Sequence, residues 1–266
     1  MMVGCGAWKP DSQGVSREVS SQPTPRHDSP SGVSPPGRIP AKLFGVNAAF
    51  VGIPIERNPL LQAMLAVYLV VWGLLAISPV DRDTWLLENY LVFAVVGLLA
   101  ASHRRFVFSN LSYASIGLFL LLHAIGSHYT YSLVPASDWL REPFDLTRNH
   151  YDRLVHFAFG LLFAYPMREI TLRRIHAHRL WSFVVPVLFI VSASSLYEIL
   201  EWAAARATSP DVGMAYVGAQ GDVWDGQKDM LLAFSGAVVA MIATALYRRG
   251  SGREPYSIGR HRSPRK

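Results

Sequence analysis

Residues 221–247 read GDVWDGQKDMLLAFSGAVVAMIATALY. Asp222, Asp225, Lys228 and Asp229 stand directly before a run, Met230–Tyr247, that contains no charged residue. A helix needs about 20 mainly apolar residues to cross a ~30 Å hydrocarbon core. The run therefore predicts a transmembrane helix with three carboxylates at its mouth. Ionisable groups at membrane depth are costly and usually face the bundle interior or a water-filled cavity, so other helices must account for these acids.

The rest of the chain has the same character. Of its 266 residues, 51% are hydrophobic and 17% charged, whereas soluble domains carry about 25% charged residues. The apolar residues lie in blocks at about Leu60–Ile77, Trp85–Ser102, Leu111–Tyr129, Leu154–Ile170, Leu180–Ala204 and Met230–Tyr247. The fold class expected is an all-α integral membrane protein, a bundle of about six transmembrane helices. Pro166 and Pro186 fall inside the fourth and fifth blocks and are expected to kink them.

Three parts are expected along the chain. Residues 1–45 form a disordered tail, because the first 40 hold 7 Pro, 7 Ser and 5 Gly and few large apolar side chains. Residues 46–248 form the transmembrane domain, and residues 249–266 a basic cytoplasmic tail. AAFVGIPI (48–55) is too short to span and reads as interfacial. The one cysteine, Cys5, excludes a disulfide framework and a cysteine-rich zinc site.

Lysine and arginine set orientation. Lys42 and Arg57 precede the first span, Arg104 and Arg105 follow the second, Arg168, Arg173, Arg174 and Arg179 close the fourth, and Arg248 and Arg249 follow the sixth. The intervening loops are acidic or mixed, the mixed one carrying Asp138, Glu142 and Asp145 against Arg141 and Arg148. The alternation predicts six spans with both termini cytoplasmic. The net charge of +6 is thus a topology signal; nucleic acid is not an expected partner, and lipid is.

With that topology, four segments aim ionisable groups at the outer end. HAIGSH carries His123 and His128, YDRLVHF carries Asp152, Arg153 and His156, YEILEW carries Glu198 and Glu201, and GDVWDGQKDM carries Asp222, Asp225, Gln227, Lys228 and Asp229. Asp152 and His156 are i,i+4, and Glu198 and Glu201 are i,i+3, so each pair shares a helix face. Asp222, Asp225 and Asp229 make one stripe if the helix starts early, although Gly221 and Gly226 favour a loop there. The candidate polar pocket is therefore Asp152, Arg153, His156, Glu198, Glu201, Asp222, Asp225, Gln227, Lys228 and Asp229.

Crowded carboxylates need neutralising. A divalent cation held by Asp152, His156, Glu198, Glu201 and Asp225 would do it. Shared protons would do it, as would ion pairs with Arg153 and Lys228. Structural readings compete. Asp152 and Asp222 suit helix N-caps, His156 suits a hydrogen-bonded interior position, and Arg206 suits a partner for the two glutamates. His123 reads as structural, and His128, His150, His176 and His178 as solvated. Tyr151, Tyr197, Trp202 and Trp224 read as an interfacial aromatic belt.

YDRLVHFAFGLL, SSLYEILEWAAA and VGAQGDVWDGQKDMLLAFSGA, in that order and spacing, resemble the YjdF-like bacterial inner-membrane protein family, over about residues 55–248. The resemblance implies a polytopic inner-membrane protein and brings no activity with it. It marks Asp152, Arg153, His156, Glu198, Glu201, Gly221, Asp222, Asp225, Gln227, Lys228 and Asp229 as motif positions. A fainter likeness is to VanZ-like membrane proteins, which resemble DRLVHF and the later acidic segment; Glu201-Trp202 and Gln227-Lys228 depart from their pattern.

Three functional classes follow. One is a metal-dependent hydrolase or transferase on lipid-linked substrates. Another is a proton-coupled transporter, against which stand the one-ended clustering and the lack of an internal repeat. The third is a non-catalytic membrane protein with a structural ion-pair network. The chain lacks a Ser-centred nucleophile elbow, a Walker loop, a dinucleotide glycine fingerprint and an HExxH motif.

Overall fold

The computed structural model describes residues 52–135, 148–217, 219–252 and 254–255. The expected N-terminal tail, Cys5, Lys42, most of the interfacial stretch, the loop residues Asp138, Arg141, Glu142 and Asp145, and most of the C-terminal tail lie outside them. The described elements are helices: α1 Pro59–Leu75, α2 Arg82–Ser102, α3 Asn110–His128, α4 Tyr151–Ile170, α5 Trp181–Ala207, α6 Pro210–Val217 and α7 Asp225–Ser251. A π turn, Thr171–Ile175, extends α4. Each apolar block is one of the long helices, and the short α6 between α5 and α7 is an addition that no apolar run announced.

Local chemistry sets the helix starts. Asn58 caps α1 by accepting from the Leu61 amide at 3.2 Å, with Pro59 in the first position. Asp81 caps α2 through the Thr84 amide at 2.7 Å, and Ser109 caps α3. At the far end, Gly252 adopts φ 65° and closes α7 by donating to the Arg248 carbonyl.

α2, α3, α5 and α7 are long and apolar enough to cross a membrane, and α1 is a shorter apolar helix. α4 is more polar than these, and its place explains it: it packs against α3, α5 and α7, while α1 and α2 join through α3. The burial pattern is that of a protein in lipid. Leu65, Val70, Leu74, Leu196, Ile199, Leu231, Ile242 and Leu246 are exposed, whereas Asn58, Asn89, Ser112, Arg168 and Glu169 are among the most buried side chains. Pro166 and Pro186 are buried inside α4 and α5.

The tightest packing lies between α4 and α7. A Cβ at Gly160 would overlap the carbonyl oxygen of Ala233, and one at Gly236 that of Phe157. Ala164, Ala233 and Ala237 are completely buried beside them. Without a hydrophobic drive between helices in lipid, such small residues let backbones approach and gain dispersion. His156 lies one turn before Gly160, and Asp229 one turn before Ala233. The same contact that joins the two helices therefore fixes the depth and rotation of their polar residues.

Candidate functional site

Six helix ends meet at one end of the bundle. The His128 carbonyl accepts from the Val80 amide at 3.0 Å, which ties the end of α3 to the α1–α2 turn. Asn149, next to the start of α4, and Gln220, in the turn before α7, exchange two hydrogen bonds, 2.9 and 3.1 Å. Gln220 holds φ 47° and Gly221 φ 86°, so two consecutive left-handed residues turn the chain into Asp222. The described residues thus bring the acids of α4, α5 and α7 to one place.

The carboxylates divide into two sets. In the first, arginines neutralise them. Arg148 contacts Asp225 at 2.5 and 3.3 Å, and Arg153 contacts Asp222 at 2.5 Å and Asp225 at 3.4 Å. Lys228 adds a 2.6 Å contact to Asp222. Asp222 lies in the turn, and its carboxyl is held well below the usual range, at about 2, by the hydrogen bond from Lys228, the Trp224 amide and Arg153.

Among the described residues, no lysine or arginine forms an ion pair with the second set. Donor atoms of Asp152, His156 and Asp229 all lie within 4.8 Å of one another. His156 Nε2 is 3.5 Å from Asp152 Oδ1 and 3.7 Å from Glu198 Oε1. Asp229 is 2% exposed, and its Oδ1 and Glu198 Oε1 are buried without a hydrogen-bond partner. Buried polar atoms are nearly always paired, so two unpartnered carboxylate oxygens, on residues packed around His156, stand out.

Several expectations change here. Asp225, expected among the metal ligands, is taken by Arg148, and Asp229 stands with Asp152 and His156 instead; the helical turn between positions 225 and 229 separates the two sets. Neither Asp152 nor Asp222 is an N-cap: α4 is preceded by His150 and α7 by Trp224, while Asp222 accepts from the Trp224 amide at 3.1 Å. Gln227 is exposed, outside the pocket, and Arg206 is exposed on the last turn of α5. Glu201 is half-buried on the same face as Glu198.

Tyr151 and Tyr197 are interior residues, not belt residues. Tyr151 donates to the Leu122 carbonyl at 2.8 Å, and Tyr197 to Glu88 at 3.2 Å. Trp202 and Trp224 are exposed, as a belt requires. His128 is bonded to the Leu75 carbonyl at 2.7 Å and is not solvated. His123 is structural: Nδ1 meets the Tyr131 hydroxyl at 2.5 Å and Nε2 the Glu88 carbonyl at 3.3 Å.

Sequence reasoning missed Arg148, Glu88 and Tyr197. Glu88 carried a signal, an acid one turn inside an apolar block. It is 3% exposed, and its Tyr197 partner lies edge-on to His156 with ring centroids 5.9 Å apart. Arg148 carried none, since its carboxylate partner is 77 residues away. At the opposite end Glu169, 1% exposed, accepts from Ser109, Ser112 and Arg173.

Comparison with known proteins agrees with this architecture. The family described as "Predicted membrane protein (DUF2238)" matches residues 60–250. Inner membrane protein YjdF of Escherichia coli (strain K12) is 38% identical over 173 residues, covering 64% of this chain and 82% of that protein. No solved structure matches.

Proposed function

Because the chain belongs to the predicted membrane protein family DUF2238 and is a multi-pass inner-membrane protein, we propose that its polar pocket binds a divalent cation and uses it for hydrolysis or group transfer on a lipid-linked phosphoester. The observation that carries this reading is the Asp152–His156–Asp229 cluster, with ligand atoms within 4.8 Å of one another and the buried, unpartnered Asp229 Oδ1 beside it. An ion bonded at about 2.0–2.6 Å holds its ligands no more than about 5 Å apart. Two carboxylates and one imidazole suit Mg²⁺, Mn²⁺ or Zn²⁺.

The cation would supply Lewis-acid polarisation and an activated water. Asp152 and Asp229 would compensate its charge, and His156 would help hold it. Glu198 Oε1, 3.7 Å from His156 and unpartnered, is placed to take a proton. The water oxygen bonds to phosphorus, the ester oxygen leaves with the electron pair of the broken bond, and the proton passes through Glu198 to that leaving oxygen. In transfer, an acceptor hydroxyl replaces water. The site's position at a helix-entry end suits a substrate held by its lipid tail. With both termini cytoplasmic, that end faces outward.

The Arg148–Asp225 and Arg153–Asp222 pairs favour a structural role for those two acids: they hold the α7 entrance closed over the site. Elemental analysis of the purified protein tests the metal. About one divalent ion per chain is expected, lost on Asp229→Asn and on His156→Gln but kept on Gln227→Ala. Wild-type protein with no bound metal after incubation with Mg²⁺, Mn²⁺ and Zn²⁺ ends the proposal. Metal-dependent phosphate release from lipid-linked phosphoesters, lost on Glu198→Gln with metal retained, tests the chemistry.

A further inference from the structure

The opposite, arginine-rich end holds a second charged centre that the pocket does not use. Arg168, in the last turn of α4, is 0% exposed. Its neighbour Glu169 is engaged by Ser109, Ser112 and Arg173. The carboxylate partner of Arg168 among the described residues is Glu254, bonded to both terminal nitrogens, the longer contact at 3.1 Å. Arg248 Nε lies 2.7 Å from the same carboxylate. Phe183 lies under both guanidinium groups, with ring centroid 4.4 Å from Arg168 Cζ and 5.7 Å from Arg248 Cζ.

Two features make this more than an ion pair. First, the cationic walls are fixed and the anion is not part of the bundle. Arg168, Phe183 and Arg248 sit on α4, α5 and α7, whereas Glu254 follows the helix end, reached by the left-handed turn at Gly252. Second, the carboxylate leaves a donor unused: Arg168 Nε is buried without a hydrogen-bond partner. A guanidinium has five N–H donors, and a carboxylate offers two oxygens. A phosphate group offers more acceptor oxygens in the same space, and paired arginines over an aromatic ring are the arrangement that recognises it. Arg173 and Arg174 lie at the same end, bonded to the Val107 and Arg105 carbonyls, so that end carries excess positive charge.

We propose that Arg168, Arg248 and Phe183 form a phosphate-binding site at the basic end of the bundle, which the tethered carboxylate of Glu254 fills when no ligand is bound. The phosphate belongs to an anionic lipid headgroup or is free in solution. Binding exchanges one anion for another and releases Glu254.

The test uses the full-length protein in neutral detergent. Glu254→Gln leaves a buried guanidinium without its counter-charge, and a fall in Tm of roughly 5 °C or more is expected. Phosphatidylglycerol, phosphatidylcholine and inorganic phosphate are then added separately. Recovery with phosphatidylglycerol alone identifies the headgroup as source; recovery with inorganic phosphate identifies the free ion. Recovery with neither, or equal recovery in Arg168→Gln/Glu254→Gln, overturns the proposal. A wild-type measurement stands if the variant does not fold: the effective ligand should speed tryptic cleavage of the Arg253–Glu254 bond, and an unchanged rate with both ligands also overturns it.

Discussion

Asp222 lies outside the spanning helices, and its charge is maintained by what surrounds it. Lys228, the Trp224 amide and Arg153 lower its carboxyl from the ordinary 3.8 to about 2. A depressed carboxyl stabilises the fold above its unfolded value and loses that contribution as pH falls through the folded one. The Tm gap between wild type and Asp222→Asn is therefore expected to be constant well above about pH 4 and to shrink progressively as pH falls towards about 2; a gap as wide at pH 2 as at neutral pH contradicts the role given to the carboxylate. Lys228 is half exposed in this pair, so Lys228→Ala is expected to change stability little. The individual acids were legible in the chain as ionisable groups beside apolar runs. Their division into paired and unpaired sets was not, because Arg148 and Asp225 are far apart in sequence and nothing local joins them.

At the scale of elements, α4 and α7 decide the site. Their backbones touch at Gly160 and Gly236, where an added Cβ would meet carbonyl oxygens that cannot move aside. Gly160→Ala and Gly236→Ala are expected to cost about 1–3 kcal/mol or more, while Gly73→Ala and Gly97→Ala, where a Cβ meets nothing within 4 Å, are expected to be neutral or slightly stabilising. Fluorescence-detected gel filtration of the four variants checks this, and monodisperse, wild-type-like Gly160→Ala contradicts the close contact. The six longer helices and most of their bounds were readable from apolar length. The entry of α7 was read as an open choice between loop and stripe, and it is both: Asp222 stays in the turn, Asp225 and Asp229 lie on the helix. α6 was not readable, being only eight residues long and too short to give a spanning run.

For the whole molecule, the segregation of charge separates two ends. Asp152, Glu198, Glu201, Asp222, Asp225 and Asp229 gather at one, and Arg104, Arg105, Arg168, Arg173, Arg174 and Arg248 at the other, which the orientation proposed above would make the cytoplasmic one. Single cysteines placed at Val223 and at His178, both exposed, in a Cys5→Ser background should react with impermeant thiol reagents from opposite sides. Reaction of the Val223→Cys variant from the cytoplasmic side only would reverse the orientation and with it the outward-facing substrate. Long uncharged runs were enough by themselves to place the six longer helices, and alternating loop charge to assign most charged groups to one end or the other. A bilayer leaves the backbone no partner but itself, so a run of that length becomes a helix whatever its neighbours. Which carboxylate meets a guanidinium and which is left facing His156 was decided only by tertiary structure. That outcome depends on a few ångströms of sliding and a fraction of a turn of rotation between α4 and α7, set by backbone contact at two glycines rather than by the charges themselves.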